Sequence, residues 1–222
     1  MSRIIAIVEG RTEQTFVREV LAPWLGARNV FVEALLVGRP GHKGGVGSYP
    51  RAQRDILTTL TRDCSVFVTT MFDFYGMPTS WPGRRQAGGA NHVSKPLIVE
   101  SELSADIAAR MGRNFDRRRF LPYVQMYEFE ALLFSKPEAI AEAACEPLCA
   151  KRLNEIRAAF DSPEMINDGR ETAPSKRIEK LCTGYQKLAS GAIAAQNIGI
   201  ALMLSACPHF REWVQNLINT AT

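Results

Sequence analysis

Histidine is scarce in this chain, and its cysteines are spaced without pairs: three His and five Cys among 222 residues. His42, His92 and His209 lie far apart, and Cys64, Cys145, Cys149, Cys182 and Cys207 follow no paired spacing. Only Cys145 and Cys149 are close, inside an Ala-rich helical stretch with no partner motif nearby. This pattern argues against a zinc site and against a disulfide framework. Reduced thiols in a cytoplasmic protein are expected. The first apolar run is too short for the core of a signal peptide. No stretch approaches about 18 apolar residues, so no membrane span is expected. Internal repeats and low-complexity tracts are lacking too. Neither sign of charge dominates: 27 Lys and Arg face 23 Asp and Glu, a net charge of +4. That balance tolerates nucleic acid without demanding it.

What is present is ordinary for a globular chain, with 46% hydrophobic and 23% charged residues. The length suggests one α/β domain with an appendage, or two small domains. The division expected is a core over residues 1–134 and a helical extension over residues 135–222, packed together. Ile4-Ile5-Ala6-Ile7-Val8 reads as a buried strand. Glu9-Gly10-Arg11-Thr12-Glu13 then turns into a helix, with Thr12 as its cap and Glu13 in the first turn, where the dipole favours an acid. Gly10, without a Cβ, suits a sharp turn and leaves space beside Glu9. Helical spacing runs on to Leu25. Strands follow at Val30–Val37 and Ser65–Phe72, around a helix at Arg51–Leu60. The order βαβαβ predicts a parallel sheet with right-handed crossovers. About 20 loop residues after Asp73 are unusual in a compact domain. Leu97–Met111 returns to helix, and Arg119–Met126 reads as a fourth strand. Beyond Leu132 helices are expected at Pro137–Cys145, Pro147–Phe160, Ser175–Leu181 and Pro208–Ile218.

Acids sit where the strands stop: Glu9 after the first, Asp73 after the third, Glu128 and Glu130 after the fourth. In an open α/β sheet that edge is where ligands bind. Clustered carboxylates repel unless a cation lies between them, and hard oxygen donors suit Mg²⁺ or Mn²⁺. Such an ion would orient a phosphate, activate a water and neutralise developing charge. Glu13, one helical turn from Glu9, could reach the same ion. The bland account makes Glu13 a helix-start acid and Glu128 and Glu130 caps of the next helix.

Basic residues supply the other half of a phosphate site. Lys43-Gly44-Gly45-Val46-Gly47-Ser48 resembles part of a phosphate-binding loop, but Gly47 stands where the Walker pattern needs Lys. It also follows the second strand instead of the first, which argues against an NTPase. Its N–H groups could still meet a nucleic-acid phosphate. Arg84 and Arg85 share the long loop with Tyr75 and Trp81, whose rings could stack on bases. Arg117-Arg118-Arg119 and Lys151-Arg152 read as solvated faces. In Thr172-Ala173-Pro174-Ser175-Lys176-Arg177, Pro174 opens a helix, and Lys176 or Arg177 could meet transition-state charge.

The string Val8-Glu9-Gly10-Arg11-Thr12-Glu13, followed by an acid at the third strand's end, resembles the Toprim fold of topoisomerases, bacterial primases and overcoming-lysogenization-defect nucleases. More closely, the chain resembles an uncharacterised bacterial family of small stand-alone Toprim-like proteins. Residues Val8 to Glu13, Lys43 to Tyr49, Thr69 to Pro78, Tyr127 to Phe134, Asn167 to Ile178 and Cys207 to Trp213 carry that likeness. The resemblance implies a largely parallel four-stranded sheet flanked by helices, with a mostly helical C-terminal part. It implies Mg²⁺-dependent cleavage of DNA or RNA phosphodiesters, by a nuclease with Glu9, Asp73 and Lys176 catalytic. Glu9, Glu13, Asp73, Glu128 and Glu130 would be metal ligands, and Lys43, Tyr75, Arg84, Arg85 and Arg177 would meet nucleic acid. An ABC-type ATPase partner in anti-phage defence is in keeping with the resemblance, and a homodimer is left open. One departure stands out: many Toprim proteins carry Asp-x-Asp on the third strand, and here the string is Asp73-Phe74-Tyr75. That speaks against a topoisomerase. It also motivates a second reading, a catalytically silent module that binds nucleic acid, a nucleotide or a partner protein. A phosphoacceptor receiver domain fits less well, because Lys95-Pro96 precedes the fourth strand and the chain is too long.

Overall fold

A computed structural model describes residues 3–39, 42–43, 47–166 and 169–221. They divide into two units, one of residues 1–124 with 213–222 and one of residues 125–212. The first boundary thus falls before the expected residue 134, and the end of the last helix returns to the first unit.

In the first unit, β1 (Arg3–Val8) is buried from Ile4 onward. An uninterrupted apolar run of this kind belongs in the middle of a parallel sheet covered on both faces. A helical run follows as α1 (Arg11–Phe16), a π turn (Val17–Leu21) and α2 (Ala22–Gly26). It buries Phe16, Val17, Leu21 and Leu25. β2 (Phe31–Leu36) pairs with β1 in parallel. A two-residue ladder, β3 (Gly38–Arg39) with β4 (His42–Lys43), comes next. Then α3 (Tyr49–Arg62) leads into β5 (Val66–Asp73), which flanks β1 on its other side with Val8 opposite Met71. The expected βαβαβ order is therefore present, and β1 and β5 end side by side.

The long stretch after Asp73 is ordered. Trp81 is 2% exposed and packs on Tyr49 and Phe72, with ring centroids 5.1 and 5.5 Å away. Gly83 has φ +73°, and a Cβ there would lie 2.7 Å from the Ile98 carbonyl oxygen of α4 (Ser94–Met111). Only glycine allows that approach.

The fourth strand is broken into β6 (Phe120–Leu121) and β7 (Val124–Gln125), both paired with β5, giving the order β2-β1-β5-β6 with β7 off that path. The boundary between the units falls inside β7. Pro122 lacks the N–H that a continuous ladder needs. Buried hydroxyls of β5 fill in: Thr70 Oγ1 accepts from Tyr123 N–H and donates to its carbonyl, both at 2.9 Å. Thr69 Oγ1 donates to the Leu121 carbonyl at 2.6 Å and accepts from Trp213 Nε1 at 2.8 Å. Trp213 also stacks on Tyr123 at 4.2 Å. Arg119, read as part of a solvated basic run, instead donates to the carbonyls of Leu60, Asp63 and Val66.

The second unit is helical: α5 (Glu130–Leu133), α6 (Pro137–Ala143), α7 (Ala150–Ala158), α8 (Pro174–Leu181), α9 (Lys187–Ala206) and the start of α10 (Pro208–Ala221). Two expectations are corrected here. Cys149, at the start of α7, and Cys182, at the end of α8, form a disulfide, so the five thiols are not all free. Sequence spacing missed it because tertiary packing brings together residues 33 positions apart. The other correction is α9, absent from the expected helices because Gly191 and Gly199 interrupt its reading. Gly199 kinks it with φ 73° and ψ 156°. Among the described residues α9 is long and apolar enough to cross a membrane by length and composition. It buries Ala194, Ala195, Ile198, Ile200 and Met203. Glu164 anchors the start of α10, its carboxylate accepting the N–H groups of His209 and Phe210 at 3.0 and 2.8 Å.

Candidate functional site

The parallel register brings the acids of the first unit to one edge. Glu9 follows β1 and Asp73 closes β5. Glu9 Oε2 accepts the Asp73 backbone N–H at 3.3 Å, so its carboxylate lies at the start of the Asp73 residue. Asp73 is 8% exposed and Glu13 3%. Thr12 does not cap the helix: Gly10 is its N-cap, without a side-chain hydrogen bond. The turn is also not what requires glycine, since Gly10 has an extended φ of −136°. A Cβ at Gly10 would lie 2.8 Å from Glu13 Oε2. The missing side chain leaves room for the Glu13 carboxylate, which folds back beside the residue following Glu9.

This donor set suits one kind of ion. Among the described residues no group of three or more His, Cys, Asp or Glu side chains is gathered to hold a metal. Mg²⁺ seldom uses such a cage. It binds through one or two carboxylates, keeps several waters and takes the rest of its shell from substrate phosphate. Glu9 and Asp73 on neighbouring strand ends fit that habit, and Glu13 stands close enough in the chain to bond the ion's waters.

The other two acids lie in the second unit, each with a protein partner. Glu128, 7% exposed, accepts Ser175 N–H at 2.9 Å. Ser175 is in the first turn of α8, behind Pro174, where free amides and the helix dipole favour a carboxylate. Glu130 is fully buried with Lys187 Nζ at 3.1 Å. Burial pushes its carboxyl up to about 7, against the opposing pull of Lys187 and with a further upward push from Glu128. Lys176 is exposed and paired with Glu179 at 2.6 Å, which raises its ammonium's pKa.

The expected nucleic-acid contacts are scattered. Arg84 is half-buried and stacks on the buried ring of Phe74, at 3.9 Å from its centroid. Tyr75 is half-buried and Arg85 exposed in the same loop. Arg177, in the second unit, donates to the Thr172 carbonyl at 2.6 Å and lies over Phe160. The side chain of Lys43, residues 44–46, and Asn167 and Asp168 lie outside the described residues. Sequence reasoning gave Lys95, 5.5 Å from the Phe74 centroid, no part in the site and passed over Lys187. It also passed over Tyr185, whose buried hydroxyl has no hydrogen-bond partner among the described residues. Lone residues with no motif spacing carry no signal of this kind.

A family model described as "Domain of unknown function (DUF4276)" matches residues 8–218. No curated protein gives a match. Among solved structures, the C-terminal region of the Burkholderia pseudomallei OLD protein is similar over 100% of both chains, with a TM-score of 0.54 and 14% identity. The C-terminal region of the Xanthomonas campestris pv. campestris OLD protein is aligned over 97% of each, with a TM-score of 0.36 and 15% identity. The first likeness is one of fold: a Toprim-like α/β sheet flanked by helices.

Proposed function

The chain belongs to the DUF4276 family, and from that premise we propose that it is a metal-dependent nuclease acting on phosphodiester bonds of DNA or RNA. One observation carries the reading: on a fold shared with an OLD protein's C-terminal region, two acids sit at adjacent parallel strand ends, and the Glu9 carboxylate reaches the Asp73 backbone, accepting its N–H at 3.3 Å. Glu9 and Asp73 would hold Mg²⁺ or Mn²⁺, with Glu13 on its waters. When bound, the ion supplies charge neutralisation and an activated water. Burial of Asp73 and Glu13 keeps these carboxylates fixed before substrate arrives, so little reorganisation remains at reaction. Lys176 is the residue proposed to meet charge developing on the phosphate. Its pair with Glu179 is exposed and screened by solvent, so release costs little. An ABC-type ATPase partner, a role in anti-phage defence and a cytoplasmic setting complete the reading, with the homodimer open. In that setting the Cys149–Cys182 bridge has to resist a reducing pool.

The test is Mn²⁺ titration by calorimetry together with cleavage of plasmid DNA and of RNA. Glu9→Gln and Asp73→Asn should each weaken Mn²⁺ by at least about tenfold, since each removes one of the few protein ligands such an ion uses, and abolish cleavage. A protein that binds no Mn²⁺ and cuts nothing, with or without an ATPase, counts against the reading.

Tyr75, standing where many Toprim proteins have a second acid, favours the alternative of a silent binding module. Under that alternative, Glu9→Gln leaves biological activity unchanged.

A further inference from the structure

We propose that the open face of the edge strand β2 is a self-association surface, on which a second copy of this chain packs about a two-fold axis. Burial alternates along β2: Val32 and Leu36 are buried, while Phe31, Glu33 and Leu35 are exposed. The register sets Ile5 beside Glu33 and Ile7 beside Leu35, so these side chains share one face of the sheet. α3 packs on β1 and β5 and leaves the β2 part of that face open, with Phe31 43% and Leu35 36% exposed. Parallel sheets are as a rule covered on both faces, so apolar side chains left open on β2 call for a cover.

Charge says what that cover is. A cleft of about 240 Å³ runs between α3 and the open face, with Ile5 and Leu35 in its lining and Arg3, Glu33, Arg62 and Asp63 around them. Two bases and two acids do not suit a nucleic acid, which asks for one sign of charge. They suit a two-fold contact, where residue i meets j and j meets i, so that one patch must complement itself. Arg3 pairs with Asp63 at 3.6 Å within the chain. Glu33 and Arg62 line the same cleft, yet among the described residues neither has an ion pair or a hydrogen bond. A second copy turned about an axis through the cleft sets Glu33 of each chain against Arg62 of the other and covers Leu35 of both. Each charge then gains the partner it lacks in the single chain. The cleft includes Arg3 and Val66, the first residues of β1 and β5. The contact therefore leaves the far ends of those strands, with Glu9 and Asp73, uncovered, and it stands independently of the nuclease reading.

Size exclusion with light scattering reads the mass in solution. The wild type should run at twice its chain mass of 24.7 kDa. Glu33→Arg and Arg62→Glu should each fall to the single-chain mass, because like charges then face each other at both contacts across the axis. Both residues are exposed, so thermal melts should match the wild type, and Leu35→Asp on the same face should give the same fall in mass. An equimolar mixture of Glu33→Arg and Arg62→Glu should return to the doubled mass, since each variant then meets the opposite charge at both contacts. Arg113→Glu, a reversal outside the cleft, should leave the mass doubled. A wild type of single-chain mass overturns the proposal and leaves this face to a different protein. A doubled mass kept by both reversals places the contact elsewhere, and a mixture that stays at the single-chain mass means that Glu33 and Arg62 do not meet; either result overturns it too.

Discussion

Glu130 makes stability depend on pH in a direction opposite to that of most carboxylates. The side chain is fully buried, and burial raises its carboxyl from 4.5 to about 7. Between those values the folded protein holds a proton that the unfolded chain has released. Stability therefore falls as pH rises through the window and levels off above it. A rise from 4.5 to about 7 corresponds to about 3 kcal/mol in full, most of it lost between about pH 5 and pH 8. Glu130→Gln keeps the shape and cannot titrate. Lys187, 43% exposed, loses its partner at small cost. Urea denaturation at both pH values should show the wild type losing about 2–3 kcal/mol more than Glu130→Gln on going to the higher pH. Glu164, also raised, and Asp106 and Glu146, lowered, titrate in both proteins and cancel. Equal losses would refute the reasoning, and would mean that Glu130 is ionised in the fold already at low pH. The same shift bears on metal binding, because a carboxyl that keeps its proton to about 7 is a poor ligand below that pH.

Gly10→Ala should cost about 1 kcal/mol in urea denaturation by displacing the Glu13 carboxylate, and the cost should vanish in a Glu13→Ala background. Trp213→Phe keeps a ring on Tyr123 but loses the bond to Thr69, for a loss of about 1 kcal/mol in the same assay. The Cys149–Cys182 bridge closes a 33-residue separation, worth at most about 3–4 kcal/mol by chain entropy. Denatured protein should give three free thiols before reductant and five after, and five in both would remove the bridge. Tyr75→Asp restores the Asp-x-Asp pattern and should tighten Mn²⁺ by about tenfold, about 1.4 kcal/mol, in calorimetry, unless residue 75 turns away from Asp73.

The sheet was legible because β-branched runs and helical spacing alternate cleanly up to Asp73, and a parallel sheet then puts Glu9 and Asp73 on one edge. The fourth strand was legible in its place, but its break was not, because that break is repaired by Thr69 and Thr70, residues some 50 positions earlier. Thr12 as a cap and Gly10 as a sharp turn were misread for a local reason, whereas the space that an absent Cβ leaves beside an acid was legible; the fold gives that space to Glu13 instead of Glu9. The bridge between Cys149 and Cys182, and the pairing of Glu130 with Lys187, depend on helix packing that no periodicity encodes. The long loop announced itself by length and glycine content, but its anchoring by Trp81 and Gly83 depends on α4 lying alongside.

The five acids of the sequence pattern divide by what already satisfies them. Glu128 is bound by a helix N-terminus, and Glu130 is buried with a lysine and inclined to stay protonated. For either to ligate an ion, an existing contact has to be replaced, and the ion must repay that loss. Glu9 already accepts the Asp73 N–H, but the place of Glu9 and Asp73 is set by strand order and would be the same if either side chain were removed. That is why substitution at Glu9 or Asp73 should silence metal binding without unfolding the sheet, whereas substitution at Glu128 or Glu130 should first be felt as a change in stability. A site whose metal response and stability response separate in this way has its ion-binding centre at the end of β1 and β5. If all four positions responded together in metal affinity at unchanged stability, the ion would instead be held by the whole set.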